Sequence, residues 1–298
     1  MKYAFVIASA AALLPGLAWA QPQSATAFNS SVTTEFGAAG NGRLGDSGGR
    51  SFSDIDVRHV GLTVGRRWAL HGPVALAIDL RYDRFDLQLD SGEVPLPDHA
   101  QAIAVQATVR KPINEQWTLL GSVKPSFANS GPLFDWDGVG VNLGALALYR
   151  QSDTLTWALG VLYRTPADNF EFVPAVGFDW RPTEDWTVTV GFPRSSVTYA
   201  ASSQWRVSLA ALAHGGTFHV NERVGNAVDG LPPLENSLLD YTEIRLGVGL
   251  DYRPSAALEL STMIGAIVHQ EFDYYERDYR LKADDPTTFV TVGARWLF

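Results

Sequence analysis

Val74-Ala75-Leu76-Ala77-Ile78-Asp79-Leu80-Arg81-Tyr82 is the stretch that decides the fold. In an extended chain successive side chains point to opposite faces. Val74, Leu76, Ile78, Leu80 and Tyr82 therefore share one face, and Ala75, Ala77, Asp79 and Arg81 the other, which Asp83 extends. Wound into a helix, the same residues would scatter round the cylinder. The pattern recurs along the chain. Trp157, Leu159, Val161 and Tyr163 oppose Thr156, Ala158, Gly160 and Arg164. Phe170, Phe172, Val176, Phe178 and Trp180 oppose Glu171, Gly177, Asp179 and Arg181. Ile244, Leu246, Val248, Leu250 and Tyr252 oppose Glu243, Arg245, Gly247, Asp251 and Arg253.

A soluble sandwich also alternates, but its strands average about five or six residues. Here the runs reach roughly ten, the length a tilted strand needs to cross a bilayer. Several apolar rows end in an aromatic residue, as at a lipid–water boundary, where an amphipathic ring satisfies both media. Mixed charges on the polar side suit a wet lumen and a solvent-facing sheet equally. Strand length and aromatic ends are the discriminating features.

The links between runs are of two kinds. Short ones are 111–117, 181–186, 201–205 and 253–258, with a polar turn and, in three of the four, a Trp opening the next run. Longer ones, rich in Gly, Asp and Asn, span 37–53, 90–99, 128–138, 221–240 and 274–287. Alternating short and long links describe a meander with short periplasmic turns and longer outer loops. The expected strands are 27–36, 54–68, 74–89, 100–111, 117–127, 139–150, 155–164, 170–181, 186–192, 196–201, 205–220, 241–253, 258–272 and 288–298. That makes an all-β, antiparallel transmembrane barrel of about fourteen strands. The count falls to about twelve if the short hairpin around Pro193 does not span, since Pro is poorly tolerated inside a sheet.

The N-terminus reads as a secretory signal peptide over 1–20. Lys2 is followed by an apolar stretch from Ala4 to Leu14, a Pro15-Gly16 break, and a small-x-small cleavage site, Ala18-Trp19-Ala20. The rival reading, a membrane anchor, needs a longer stretch and no cleavage site. Residues 21–298 form the barrel domain. The chain has no cysteine, which excludes a lipoprotein anchor, and its 298 residues carry a net charge of -9. Losing Lys2 with the signal takes this to -10, an acidic balance that argues against nucleic acid as a partner.

The chain ends Thr291-Val292-Gly293-Ala294-Arg295-Trp296-Leu297-Phe298. Thr291, Gly293, Trp296 and Phe298 occupy the four fixed positions of a pattern that resembles the C-terminal assembly signal of outer-membrane barrels. The resemblance implies pairing of the last strand with the barrel-assembly machinery, with Val290, Val292, Ala294, Trp296 and Phe298 as a lipid-facing row. A second resemblance is to uncharacterised, porin-like bacterial outer-membrane β-barrel proteins. It rests on Gly191-Phe192-Pro193-Arg194, Val197-Thr198-Tyr199, the turn to Trp205, and Gly215-Gly216-Thr217-Phe218, in the last half of the barrel. It implies a Gram-negative outer membrane, with its lipids as surroundings, and no established activity.

No catalytic group stands out. Lipid-hydrolysing barrels use Ser and His, and the candidates are Ser202, Ser208, His214 and His219. His214 shares a face with Ser208, but six residues along one strand are about 20 Å, too far for a dyad. His269, Glu271 and Asp273 alternate at i, i+2 and i+4 and read as a polar lumen row near the outer mouth. Asp135-Trp136-Asp137-Gly138 lacks calcium-loop spacing. No cofactor or resident metal is expected. Function is expected on the inner face: Asp79, Arg81, Asp83, Lys124, Asp179, Arg181, Glu243, Arg245 and Asp251 as lumen candidates. Gly140, Asn142, Gly144, Ala158, Gly160, Ala175 and Gly177 would leave room in one sector. Phe192-Pro193-Arg194-Ser195 departs from the spanning pattern and is the candidate for an infolded segment. These features suit a passive pore or transporter for a small solute. A closed structural or surface-interaction barrel is the alternative, and a lipid-modifying enzyme a more distant one.

The C-terminal reading is checked by deleting Phe298. Folded, heat-modifiable protein in the outer membrane is expected to fall several-fold; unchanged assembly would remove the signal from the argument.

Overall fold

The computed structural model describes residues 29–46, 48–89, 94–166, 171–225, 228 and 230–298. The signal peptide and its cleavage residues Ala18 and Ala20 lie outside the described residues. The strands are β1 Ser30–Asp46, β2 Ser51–Ala69, β3 Ala75–Leu89, β4 His99–Pro112, β5 Trp117–Asn129, β6 Val139–Arg150, β7 Leu155–Thr165 and β8 Phe172–Trp180. They continue with β9 Trp186–Val190, β10 Arg194–Ala200, β11 Trp205–Val220, β12 Ser237–Ser255, β13 Leu258–Tyr274, β14 Tyr279–Ala283 and β15 Thr287–Leu297.

The sheet is antiparallel between sequence neighbours and closes on itself. β1 pairs with β15 from Ser31–Leu297 to Gly40–Thr288. Above that, β14 occupies the same slot, pairing with β1 through Leu44–Ala283 and with β13 through Glu271–Lys282. β14 and β15 are thus two halves of one last stave, and the barrel has fourteen. The hairpin around Pro193 is a full member of the wall, because β9 pairs with β8 and β10 with β11.

The short turns share a chemical closure. Trp117, Leu155, Trp186 and Trp205 each donate their backbone N–H to a side-chain oxygen three residues earlier, on Asn114, Ser152, Thr183 and Ser202. An Asn, Ser or Thr at the turn can take the donor that the ladder has just released. This turn end carries the aromatic row. Trp117 lies against Tyr149, Trp157 against Phe178, Trp186 against Tyr199 and Trp205 against Tyr252, with ring centroids 4.7, 5.3, 4.9 and 4.3 Å apart. On β5 the outer aromatic, Phe127, stands ten residues beyond Trp117, about 33 Å along the strand. At a tilt of about 40° that is about 25 Å along the axis, the height of the apolar band of an outer-membrane barrel. Between the two rows the outward face carries Leu62, Val64, Leu80, Val105, Leu119, Val161, Val248 and Val292, all exposed.

The staves are of unequal height. Lengths fall from 13 residues in β5 to 5 in β9 and return to 16 in β11. Beyond the short staves the outer ends of β5 and β11 meet. Asn129 pairs with His219 in parallel, and the Ser130 N–H donates to the His219 carbonyl at 2.9 Å. Asn221 fastens the seam. Its N–H donates to Ser130 Oγ (3.1 Å) and its Nδ2 to Asp135 Oδ2 (2.7 Å). The outer ring therefore holds nine staves: β11, β12, β13, β14 and β1 to β5.

Nine staves enclose a ring about 18 Å across between backbones, and fourteen about 28 Å, at about 4.8 Å spacing and about 40° tilt. Eight-stranded barrels are just filled by their own side chains, so the outer ring closes and the inner one does not. Leu44, Ile55, Leu87, Phe218, Leu239, Phe272, Tyr274 and Leu281 fill the outer ring. Val94, Leu96 and Leu234 join them from the outer links, and Tyr274 donates its hydroxyl to the Pro95 carbonyl at 3.0 Å.

Two expectations are corrected. The link expected over 37–53 is mostly strand, because β1 runs on to Asp46 through register shifts near Gly42. His269, Glu271 and Asp273 do not line the lumen. A register shift between the Ile244–His269 and Arg245–Ile267 pairs reverses the alternation of β13. Phe272 and Tyr274 then enter the plug, while Glu271 and Asp273 lie on the outside against Arg280 of β14.

β11 reaches the seam by bending after Leu212, its last partner to β10. Gly215 supplies the bend with φ +141, and a Cβ there would lie 2.0 Å from the Tyr241 carbonyl oxygen. Gly215→Val should lower the thermal unfolding midpoint and weaken heat-modifiability of the purified barrel. Wild-type behaviour would dissociate the bend from barrel closure.

Candidate functional site

The inner face beneath the plug is where the lumen widens, and alternation fixes what it displays. All strand-borne lumen candidates point inward: Asp79, Arg81 and Asp83 on β3, Lys124 on β5, Asp179 on β8, and Glu243, Arg245 and Asp251 on β12. Arg181 sits in the turn after β8, its N–H on the Thr154 carbonyl.

These residues form two tiers. The tier near the turns is wet and dispersed. Arg206 of β11 bridges Asp251 (3.3 Å) and Glu259 of β13 (2.8 Å), and Asp179 accepts from Thr189 Oγ1 at 2.6 Å. Arg206, Asp251 and Glu259 keep 23%, 27% and 23% of their side-chain surface exposed. An inward side chain can only be exposed to the lumen, so solvent stands beside them.

The second tier is the ceiling under the plug, and it is compact. Arg81 Nη2 donates to Asp83 Oδ1 at 2.9 Å. Asp83 Oδ1 also lies 3.0 Å from His59 Nε2, and the other ring nitrogen of His59 faces Glu35 Oε1 at 3.5 Å. Across the barrel His214 Nδ1 meets Glu243 Oε1 at 2.9 Å, and Glu243 also pairs with Arg245. Tyr241 donates its hydroxyl to Glu243 Oε2 at 2.7 Å and accepts from Gln270 Nε2 at 3.3 Å. The halves touch edge to face, with the His59 and His214 rings 4.8 Å apart. Phe85 stacks on His59 at 4.7 Å and separates the tier from the plug.

Sequence reading found Asp83, Glu243 and Arg245 but not that they converge, and it missed Glu35 and His59. The missed signal was a single polar inward position, His59, between Val57 and Gly61. The sector of small residues is not empty: Leu146 and Leu162 lean over Gly144 and Gly160, with Val173 and Ala175 beside them. Phe192 packs on this patch. The Phe192–Ser195 segment is the tip of the β9–β10 hairpin, closed by Ser195 Oγ donating to the Gly191 carbonyl at 3.0 Å. Of the Ser and His residues considered for hydrolysis, Ser202 closes a turn and Ser208 faces Gly249, while His214 is held by Glu243. Asp135 serves the β5–β11 seam. Thr291 and Gly293 point inward, and Trp296 and Phe298 outward.

Beside the hairpin tip the wall is incomplete. β8 pairs with β9 only from Phe178 to Trp180, and β11 loses β10 beyond Leu212. Among the described residues no strand lies between Phe172–Gly177 and His214–Phe218. The notch is bounded by those two edges and the Pro193 turn. Pro174, which has no N–H to offer, is accommodated on this open edge.

Truncating the best-connected group tests the ceiling. Glu243→Ala leaves Arg245, His214 and Tyr241 without their shared acceptor, a loss of roughly 3–5 kcal/mol for a broken buried pair. Urea unfolding of the purified barrel should show it; a change below about 1 kcal/mol would mean the network is already solvated.

The fold matches outer-membrane channels of known structure over most of both chains. An outer-membrane channel from Pseudomonas putida F1 aligns with a TM-score of 0.50 at 11% identity, covering 92% of this chain and 97% of that one. The deltaS2S3 mutant of the TodX monoaromatic hydrocarbon channel aligns with a TM-score of 0.50 at 10% identity, covering 92% and 91%. At such identities the likeness is one of fold. No curated protein matches the sequence. A family model described as "Domain of unknown function (DUF6268)" matches residues 72–289.

Proposed function

We propose that this chain, which belongs to the DUF6268 family, is a passive channel of the Gram-negative outer membrane for small solutes, with its outer opening in the side wall. The observation that carries the proposal is the pairing of a plugged outer end with a notch over the β9–β10 hairpin. In a bilayer an unpaired sheet edge is tolerated only where protein or water meets its free groups. Phe172 and Trp180, both outward and exposed, stand eight residues or about 26 Å apart along β8, about 20 Å along the axis at the same tilt. The notch at Phe172–Gly177 begins at the outer of the two. Between the wet tier and this notch stand Leu146, Leu162, Val173 and Phe192, packed together, so passage here requires these side chains to swing aside. A solute on this path meets charges of both signs first and apolar side chains after them. The solute class this favours is small and amphipathic.

The filled outer ring favours a second reading, a closed structural barrel, and flux separates the two. Proteoliposomes should release a small fluorescent solute, and planar bilayers should show discrete conductance steps. The chain has no cysteine, so single thiols can be placed at will. A bulky maleimide on Phe192→Cys should reduce flux several-fold, and the same reagent on Arg223→Cys, exposed in the outer β11–β12 link, should not. The opposite order would move the opening to the outer end, and absence of flux in the unmodified protein would establish the closed barrel.

A further inference from the structure

Three side chains in the ceiling tier are arranged as metal ligands. One ligand atom from each of Glu35, His59 and His214 lies within 4.8 Å of the other two. The Glu35 Oε1 to His59 Nδ1 separation is 3.5 Å. Ligands about 2.1 Å from a tetrahedral ion stand about 3.4 Å apart, so one edge is already formed. The His214 ligand atom stands within 4.8 Å of both.

The second shell is the stronger observation. A histidine that binds a metal through one ring nitrogen almost always donates the other to a carboxylate or carbonyl, which fixes its tautomer and raises its basicity. Both histidines meet this condition. His59 Nε2 is on Asp83 at 3.0 Å and His214 Nδ1 on Glu243 at 2.9 Å. His59 Nδ1 and His214 Nε2 are left for a common centre. His59 is 2% exposed, and its Nδ1 faces the Glu35 carboxylate at 3.5 Å. Glu35 is the opposite case: it points inward, yet 46% of its side chain is exposed. An ion can therefore reach the centre from the lumen. Three carboxylates, Glu35, Asp83 and Glu243, face two guanidinium groups, Arg81 and Arg245, and the Lys124 ammonium on the Arg81–Asp83 side, so the donor set rather than net charge carries the case for a cation.

We propose that Glu35, His59 and His214 bind one divalent transition-metal ion of the zinc class, with Asp83 and Glu243 as orienting partners. Two imidazoles and one carboxylate leave a fourth position open, and here it faces the lumen. The occupant that competes for this place is a proton on His59, held between Glu35 and Asp83.

The experiment uses the full mature barrel in detergent, without a histidine tag and stripped with chelator. Cobalt(II) is added and the visible ligand-field absorption followed, then displaced with zinc(II). One equivalent per barrel is expected. Glu35→Gln, at the exposed ligand, should weaken binding at least tenfold, and His59→Gln and His214→Gln by more. Asp83→Asn should cost 10- to 100-fold while keeping the stoichiometry, as loss of an outer-shell partner does. Heat-modifiability identifies any variant that has failed to fold, and Glu35→Gln keeps the test open if the histidine variants do. Absence of stoichiometric binding would leave the protonated-histidine network and overturn the site. So would an affinity unchanged in Glu35→Gln.

Discussion

The seam between Asn129 of β5 and His219 of β11 is the constraint on which the rest of the molecule depends. A spanning sheet must pair every strand edge, and a closed ring of fourteen does so. By joining β5 to β11 beyond the short staves, the seam closes a second, smaller ring on top of the first. Circumference then decides occupancy. A ring about 18 Å across fills with Leu, Phe and Tyr side chains, whereas one about 28 Å across does not. Plug, ceiling, vestibule and notch all follow from this change in stave number. Asn221 and Asp135, the polar clamps of the seam, sit in outer links whose sequence suggests only turn.

Much of the barrel is legible in sequence because a strand has a period of two and the bilayer enforces it. The expected strands at 139–150 and 205–220 coincide with β6 and β11, since both start and end at clear turns or links and carry an apolar outward row, Val139 to Tyr149 and Trp205 to Ala213. Legibility fails at bulges. β1 continues through Gly37–Asp46, where glycines and two register shifts erase the alternation. In β13 one extra residue moves Glu271 and Asp273 from the lumen to the outer surface. A bulge has no composition of its own in a single sequence, so a parity argument carried across one inverts without warning.

The candidate site is legible to a different depth. Parity gives the face of each charged residue, and the strand-borne lumen candidates do face inward. Parity does not give height or angular position. Asp83 and Glu243 lie 160 residues apart in the chain, yet they flank a pair of histidines in contact. That juxtaposition depends on barrel closure and tilt, which no local pattern encodes. Glu35 and His59 were invisible for the same reason: each is an ordinary inward residue until its neighbours across the lumen are known.

Stability alone does not explain the ceiling. Removing several charges from water costs several kcal/mol per ion, and a well-packed apolar layer of similar volume is often as stable or more so. The plug immediately above shows that this chain can build such a layer, from Ile55, Leu87 and Leu239. The vestibule below shows that it can also leave charges in water. At the boundary it stands between the two. A buried histidine, His59, and a partly buried one, His214, are oriented by carboxylates and completed by a glutamate open to the lumen. Such orientation of two imidazoles towards one carboxylate has no equivalent in the plug above, and it is the feature that the proposed cation would explain.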